Sequence, residues 1–401
     1  MTHSATSSSS AIVIDTHADT PQRILDEHYD LAQPLNGGYL NLESARRGNL
    51  NAEFFSIWVE PTLYKGHYAR RTLELIDSVY QQAAAHPDRM RMAFSTADIK
   101  AAHREHKLAA LMGIEGGHSI EDSLGLLRDY YRLGVRYMTL TWSNSNGWAD
   151  SSGDIDDASV PHTKEGLSEF GKDVVYEMNR LGMMVDVSHV SDKTFYRTLI
   201  ISRAPVIASH SSARALTNAP RNMTDDMLRA MTRNDGVVQV NFFSAFVSED
   251  FRKAWNAQRP EREAAEKAAD AHAKAQRQTP SYGVEEEVDK QFAAKIPRPP
   301  FHVTIDHIDH IAKIAGVDHV GIGSDFDGIP SAPEGMDSAA DLPKIRQALL
   351  QRGYSAQDCD KIMGGNLMRV FRQVELVSKQ LQSQSRPRIS EKQPFSKTPE
   401  P

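Results

Sequence analysis

A short stretch near the N-terminus, AIVIDTHADT, places two potential metal ligands directly after an apolar run. His17 and Asp19 follow the apolar residues 11–14 and are two positions apart. Side chains two residues apart in an extended chain point to the same side. Imidazole and carboxylate groups are ligands for zinc and similar divalent ions. The pair therefore predicts one arm of a metal site at the end of a strand.

Four more groups of the same kinds follow other apolar runs. They are Glu115 in GIEGGHS, His189 in DVSHVS, His210 in ASHSS and Asp325 in GSDFDG. Together with the first pair, they exceed what one tetrahedral ion needs. Two ions that share a bridging carboxylate would use five groups and leave one for acid–base chemistry.

Each of these residues also has a simpler interpretation. The chain has 16 histidines, so a single histidine near a strand end is weak evidence for a metal ligand. Asp19 precedes Thr20 and Pro21 and could cap a helix, and Asp325 could organise a turn. The coincidence of such groups at five predicted strand ends favours the metal site.

Eight short apolar runs, which alternate with amphipathic stretches, carry these groups. Such runs are typical of parallel strands covered by helices on both faces. They lie at residues 11–14, 54–59, 108–114, 135–141, 183–187, 205–209, 236–242 and 319–324. The alternation predicts an α/β fold, a single-domain (β/α)8 TIM barrel, in which functional groups lie at the C-terminal ends of the strands. An open doubly wound sheet is the alternative, but no Gly-rich phosphate loop follows the first run.

Three segments differ in composition from the rest of the barrel domain, which we predict at 11–376. Residues 1–10 are predicted to be a disordered lead-in. Residues 250–300 are charged and rich in Ala and Gln, which predicts a peripheral helical insertion between the seventh and eighth strands. Residues 377–401 are polar and contain prolines, which predicts a disordered tail.

Composition narrows the class of protein. The 401-residue chain has a net charge of −7, which argues against a nucleic-acid partner. No run approaches the roughly 18 apolar residues that a membrane span requires, so no membrane partner is expected. The first ten residues have neither the basic nor the apolar region of a signal peptide, and Cys359 is the single cysteine, so we expect a cytoplasmic protein. The oligomeric state stays open, with a homodimer as one candidate.

Several longer motifs resemble those of the renal (membrane) dipeptidase family of zinc peptidases, which are amidohydrolase-like (β/α)8 barrels. The motifs include IDTHADT, GIEGGHSIEDSLGLLRDYYRLGVRYMTLTW, MMVDVSHVS, IASHSSARAL, RNMTDDML, GIGSDFDG and GGNLMRVF. The resemblance implies hydrolysis of small dipeptides with two Zn²⁺ ions per chain. It implies that His17 and Asp19 bind one zinc, that His189 and His210 bind the other, and that Glu115 bridges both.

The resemblance also implies a mechanism. A hydroxide that bridges the two metal ions would attack the scissile amide. Asp325 matches the residue that handles the proton, and Arg221, in APRNM, matches the arginine that binds the carboxylate of the substrate.

One residue departs from the family pattern. Many members have LTH where this chain has LTW, so Trp142 lies at the end of the fourth predicted strand. The family's histidine contacts the reacting carbonyl, whereas a tryptophan offers one N–H donor and no titratable nitrogen. Trp142 is therefore predicted to line the substrate pocket and to alter it, and Phe242 and Phe243 predict an apolar rim nearby with no polar group to orient the substrate. Two alternatives remain: a hydrolase of another small amide, lactam or ester, and a catalytically weakened metal-binding barrel. Asp325 counts against the second, because a binding protein needs no proton carrier.

Overall fold

Parallel strands form the centre of the structure, a computed structural model that describes residues 11–275 and 282–388. The strands of the described residues are β1 (Val13–Ala18), β2 (Leu50–Trp58), β3 (Met90–Met92), β4 (Leu108–Glu115), β5 (Val135–Thr139), β6 (Met184–Asp186), β7 (Ile207–Ala208), β8 (Val237–Val240) and β9 (Val320–Ile322). Eight of them are neighbours in the order β1-β2-β4-β5-β6-β7-β8-β9, and each pair is parallel.

Backbone hydrogen bonds between the first and last strands close the sheet. The amide of Asp325 donates to the carbonyl of His17 at 2.9 Å, and the amide of Asp19 donates to the carbonyl of Phe326 at 2.8 Å. Ala18 and Phe326 form a parallel bridge at the same place. The predicted (β/α)8 barrel with a helical insertion is confirmed.

The strands are near-continuous apolar runs, since a strand whose two faces are both buried needs apolar side chains on both. Phe54 and Leu111 belong to a cluster that also holds Tyr137, while Phe55 and Met112 pack in the outer layer against the helices. β1 extends beyond the predicted residues 11–14 to Ala18. One of its polar side chains is satisfied inside the barrel, where the hydroxyl of Thr16 donates to the carbonyl of Ser209 at 2.5 Å.

Strand β3 lies outside the order of the barrel and pairs with β4 alone. The sequence analysis did not predict it. Three residues with a central arginine are too short to show a periodic pattern, so tertiary pairing decides their conformation.

Helices connect successive strands and cover the barrel. They are α1 (Thr20–Asp26), α2 (Leu42–Arg47), α3 (Tyr68–Ala85), α4 (Thr96–Arg104), α5 (Leu124–Arg132), α6 (Glu169–Leu181), α7 (Asp192–Ile201), α8 (Asp225–Asn234), α9 (Ser244–Val247), α10 (Glu249–Ala257), α11 (Arg259–Ala275), α12 (Tyr282–Ala293), α13 (His302–Ala315), α14 (Pro343–Gln351), α15 (Ala356–Asp360) and α16 (Asn366–Gln384). Many begin at a Ser or Thr side chain that accepts a backbone N–H, as at Thr224 and Ser355. None of the described helices combines the length and the apolar character that crossing a bilayer requires.

The insertion, which holds α10 to α12, packs at the rim that carries the C-terminal ends of the strands. Phe251 and Trp255 of α10 contact Phe243, which follows β8, with ring centroids 6.4 and 5.8 Å apart. Helix α12 contacts α1, the helix that leaves β1. The few apolar residues of this polar segment therefore anchor it on the rim, and its predicted peripheral role stays a prediction.

The C-terminal helix α16 runs eight residues past the predicted domain end at 376. Ser378 and Gln382 both donate hydrogen bonds to the carbonyl of Arg180 in α6, at 2.8 and 2.9 Å. The predicted tail therefore begins too early, because polar residues pair with the end of a neighbouring helix. The predicted lead-in at residues 1–10 and the chain beyond 388 lie outside the described residues.

Candidate metal centre and active site

The carboxylate of Glu115, at the end of β4, lies at the centre of a cluster of three buried histidines. Its Oε2 atom is 3.3 Å from Nε2 of His17. Its Oε1 atom is 2.7 Å from Nε2 of His189 and 3.3 Å from Nε2 of His210. The two oxygens of one carboxylate therefore face different histidines, as a bridging ligand requires.

Two further carboxylates reach the His17 side of this cluster. Asp19 Oδ2 lies 3.5 Å and Asp325 Oδ1 3.9 Å from the Nε2 atom of His17. Asp19 precedes α1 but makes no capping hydrogen bond, and one oxygen of Asp325 accepts a hydrogen bond from the amide of Asn241 at 2.7 Å. Both carboxylates thus point into the cluster, and the helix-cap alternative for Asp19 is wrong.

The buried charges of the cluster favour a bound cation. Burial lowers the pKa of His17, but Tyr137, Glu115 and Asp19 outweigh it, and the net shift is well upward. Burial raises the pKa of Glu115, yet the surrounding histidines hold it well below its usual range. Buried carboxylates stay ionised only when a cation compensates them, and a divalent ion would meet this demand.

The other two histidines are held neutral, which is the state that binds metals. Burial and the positive charge of Arg221 lower the pKa of His189 to about 4. Burial, His17 and Arg221 move the pKa of His210 well below its usual value. Their Nε2 atoms lie 2.9 Å apart, beside the same oxygen of Glu115.

A buried tyrosine orients His17 from inside the barrel. The Oη atom of Tyr137 lies 2.7 Å from Nδ1 of His17 and 3.1 Å from the carbonyl oxygen of Thr16. Because the carbonyl can only accept, Tyr137 donates its proton there and accepts from Nδ1–H of His17. The lone pair of His17 is then on Nε2, which faces the carboxylates.

A similar chain of hydrogen bonds orients His210. The hydroxyl of Ser209 donates to Asp186 at 2.6 Å and lies 2.7 Å from Nδ1 of His210. Asp186 also accepts from the hydroxyl of Thr139 at 2.5 Å, which fixes its position. His210 therefore presents its Nε2 lone pair to Glu115, in the arrangement that usually supports a histidine ligand.

Two site residues have left-handed backbone conformations. His189 and Asp325 both have φ values of 65°, a region that residues other than glycine seldom adopt. Such conformations persist when the surrounding structure holds them, and they concentrate at functional sites.

Arg221 reaches the rim of the cluster through its guanidinium group. It donates hydrogen bonds to the hydroxyl of Ser211 at 3.1 Å and to the carbonyl of His210 at 3.0 Å. Burial lowers the pKa of Arg221, and the charges of Asp325 and Glu115 oppose that shift. Its Nε atom has no hydrogen-bond partner among the described residues, so the guanidinium keeps donor capacity for an anion.

Trp142 follows β5 and forms an aromatic wall beside the cluster. Its ring centroid lies 4.9 Å from that of Trp58, at the end of β2, and 6.3 Å from that of His189. The indole is partly exposed. It is thus placed to contact a bound molecule through an apolar face.

Sequence reasoning missed the residues that hold the predicted site residues in place. Asn241 lies between β8 and the predicted apolar rim of Phe242 and Phe243, where it is buried and donates its hydrogen bond to Asp325. Tyr137 was hidden inside an apolar run. Asp186 and Ser209 could have been found, because each is a polar residue in an apolar run shortly before a predicted ligand.

Comparison with known proteins identifies the family. The family model for membrane dipeptidase (peptidase family M19) matches residues 5–385. The chain belongs to the membrane dipeptidase family. A dipeptidase of Schizosaccharomyces pombe, C965.12, is 34% identical over 396 residues, which cover 94% of this chain and 84% of the relative. Dipeptidase tcpJ of Claviceps purpurea is 34% identical over 362 residues, covering 88% and 73% of the two chains.

Solved structures of membrane dipeptidase relatives share the fold. The probable dipeptidase PvdM from Pseudomonas aeruginosa aligns with a TM-score of 0.78 at 26% identity, covering 92% of this chain and 96% of that one. A metallopeptidase of family M19, dipeptidase AC, aligns with a TM-score of 0.72 at 25% identity, covering 91% and 99%. The family resemblance and the metallo-dipeptidase class predicted from the sequence are confirmed.

The nitrogen and oxygen donors around Glu115 are of the kinds and in the positions that a metal ion needs. Donor atoms of His17, Glu115 and His210 lie within 4.8 Å of one another, and so do those of His17, Asp19 and Asp325. Nε2 of His17 and Oδ1 of Asp19 are buried without a hydrogen-bond partner among the described residues. Buried nitrogen and oxygen donors without partners, arranged around shared carboxylates, are what zinc and similar ions require.

Proposed function

We propose that this chain hydrolyses free dipeptides with the help of two zinc ions. The observation that carries the proposal is the division of the Glu115 carboxylate between two sets of donors. Its Oε2 atom faces His17 and its Oε1 atom faces His189 and His210. The family of the chain and the dipeptidase names of its relatives support the same substrate class.

The residues divide into two metal positions that share one ligand. His17 and Asp19 would hold one ion, His189 and His210 would hold the other, and Glu115 would bridge them. Bound zinc supplies a hydroxide nucleophile at neutral pH and polarises the scissile carbonyl.

The protein's own acid–base group is Asp325. One of its oxygens faces His17 while the other accepts the hydrogen bond from Asn241, so the carboxylate is fixed at the edge of the cluster. From this position, Asp325 accepts a proton from the attacking nucleophile and delivers it to the nitrogen of the leaving amine. Asn241 orients the carboxylate and leaves the oxygen near His17 free for this transfer.

Arg221 is the group that selects free dipeptides. Its guanidinium donates to the backbone carbonyl of His210, and its Nε–H has no hydrogen-bond partner in the part of the chain that the structure describes. A guanidinium binds a carboxylate through two parallel hydrogen bonds. A substrate whose C-terminal carboxylate binds here would be short, because the carboxylate lies close to the scissile bond.

Trp142 supports a second candidate function of the same metal site, which is the hydrolysis of another small amide, lactam or ester. Its indole stands beside His189 and Trp58, and it cannot replace the acid–base capacity of a histidine. An apolar wall at this point favours substrates with an apolar group next to the scissile bond.

A comparison of blocked and free substrates tests the proposal. The zinc-loaded protein would be assayed on a dipeptide library, on the same dipeptides with C-terminal amides, on tripeptides, and on small lactams and esters. We expect free dipeptides to be cleaved fastest, and Asp325→Asn to remove most of that activity. Equal cleavage of free and amidated dipeptides, or faster cleavage of a lactam or ester, would replace the dipeptidase assignment with the second candidate. If the zinc-loaded protein hydrolyses none of these substrates, the alternative of a catalytically weakened metal-binding barrel would replace both candidate functions.

A further inference from the structure

A cavity opens at the opposite end of the barrel from the metal centre. It has a volume of about 590 Å³ and lies where β2 and β4 begin, at Leu50 and Leu108. Glu115 ends β4 seven residues later, so at about 3.3 Å per residue the cavity is roughly 23 Å from the candidate active site.

The walls of this cavity combine an apolar floor with a basic rim. Its lining residues are Leu42, Ala45, Arg46, Asn49, Leu50, Asn51, Arg89, His103, His106, Lys107 and Leu108. The leucines and the alanine are buried. Five of the remaining residues are arginine, lysine or histidine, and none of the lining residues, all of which lie in the described part of the chain, is acidic.

Among the described residues, three of these five basic side chains form no ion pair within 4.0 Å. Arg46 pairs with Glu43 at 2.7 Å, and Lys107 pairs with Glu105 at 3.2 Å. In the described ranges, no carboxylate oxygen lies within 4.0 Å of the side chains of Arg89, His103 or His106. Arg89 forms a side-chain hydrogen bond to a ring nitrogen of His86 at 3.5 Å, and its charge helps to lower the pKa of the exposed Glu43. In a chain with a net charge of −7, such a local excess of cations is a distinctive feature.

Helix ends explain only part of this excess. Arg46 and His103 lie in the last turns of α2 and α4, where the helix dipole favours cations. Arg89 and Lys107 lie outside these helices, immediately before β3 and β4. The amide of Leu108 donates to the carbonyl of Arg89 at 2.8 Å, and this backbone pairing makes Arg89 and Lys107 neighbours in the lining of the cavity.

We propose that this cavity binds a small organic phosphate. The phosphate group lies between Arg89 and Lys107, since a guanidinium offers a planar pair of donors and an ammonium a compact charge. The apolar part of the ligand covers Leu50 and Leu108. The cavity volume is in the range of small-molecule sites in proteins.

Calorimetric titration of the full-length zinc-loaded protein with phenyl phosphate, at low ionic strength, tests this proposal. The comparison ligands are phenol, which has only the apolar part of the proposed ligand, and inorganic phosphate, which has only the phosphate group. We expect phenyl phosphate to bind at least tenfold more tightly than either. The double variant Arg89→Gln, Lys107→Gln should weaken binding at least tenfold, because both charge-assisted contacts are lost.

Arg229→Gln is the matched control, because Arg229 is an exposed, ion-paired arginine on the outer helix α8. It should bind phenyl phosphate like the parent protein. Dipeptide hydrolysis by the double variant should equal that of the parent, so this test and that of the proposed function are independent. Unchanged binding in the double variant would place the ligand at the metal centre and overturn the proposal. Equally tight binding of inorganic phosphate, or no binding of phenyl phosphate, would overturn it as well.

Discussion

Tyr137→Phe should weaken zinc binding without displacing the ring. The hydroxyl of Tyr137 is the buried partner of Nδ1 of His17, at 2.7 Å. The ring itself packs against Phe54 and occupies the space that a side chain at position 113 would need, where the residue is Gly113. Phenylalanine therefore keeps the packing and removes one oxygen atom.

The expected size of the effect follows from the two hydrogen bonds that the hydroxyl makes. Without it, Nδ1–H of His17 and the carbonyl of Thr16 lose their shared partner, and an unsatisfied buried polar group costs about 1–3 kcal/mol. The imidazole also loses its fixed tautomer. The loss of such a supporting partner lowers metal affinity by about 10–100-fold, and at about 1.4 kcal/mol per factor of ten this agrees with the hydrogen-bond estimate.

Competition with a chromophoric chelator would measure the zinc affinity of parent and variant, and thermal unfolding would measure their stability. Tyr80→Phe is the control, because the hydroxyl of Tyr80 donates to the carbonyl of Leu133 at 2.9 Å away from the site. We expect zinc affinity to fall in Tyr137→Phe and to stay unchanged in Tyr80→Phe. Parent-like zinc affinity in Tyr137→Phe would refute the assigned tautomer and the role of His17 that depends on it.

Three further predictions follow from the site and its rim. Asp325→Asn should keep two zinc ions by elemental analysis but lose about 10²–10⁴-fold in kcat, because the amide cannot carry the proton; parent-like turnover would make Asp325 structural. Arg221→Ala should lower kcat/KM by about 10–100-fold for free dipeptides and little for amidated ones, and Trp142→His should raise dipeptide turnover; equal losses on both substrates would contradict the role of Arg221. Burial and nearby carboxylates raise the pKa of Glu285 in α12 from 4.5 to about 7, so its ionisation opposes folding increasingly from pH 4.5 to 7. Glu285→Gln should therefore raise Tm by roughly 1–2 °C at pH 8 and leave it unchanged at pH 4, as followed by calorimetry.

The strand-end residues could be predicted from the sequence because their signal is local. An apolar run that ends in His17 and Asp19 shows both the strand and the direction of the side chains. Parallel strands in a barrel bring their C-terminal ends to one rim, so Glu115, His189 and His210 were predicted to meet, and the structure places them in contact.

The supporting residues could not be predicted because their signal is not local. Tyr137 lies 120 positions from His17 in the sequence, and in its own run it has the pattern of an ordinary core residue. Asn241 becomes important only because the parallel pairing of β8 with β9 brings it next to Asp325, 84 positions later in the sequence. The position of the insertion likewise depends on a few aromatic contacts of Phe251 and Trp255 and not on its overall polarity.

The central claim is that two ions, shared by Glu115, carry the hydrolysis of dipeptides. The most direct test is to titrate zinc into the metal-free protein while the rate of dipeptide hydrolysis is followed. The account predicts no hydrolysis without zinc, a plateau at two equivalents per chain, and a loss of most activity in Glu115→Gln at every zinc concentration. Full activity without metal, a plateau at one equivalent, or parent-like activity in Glu115→Gln would contradict it.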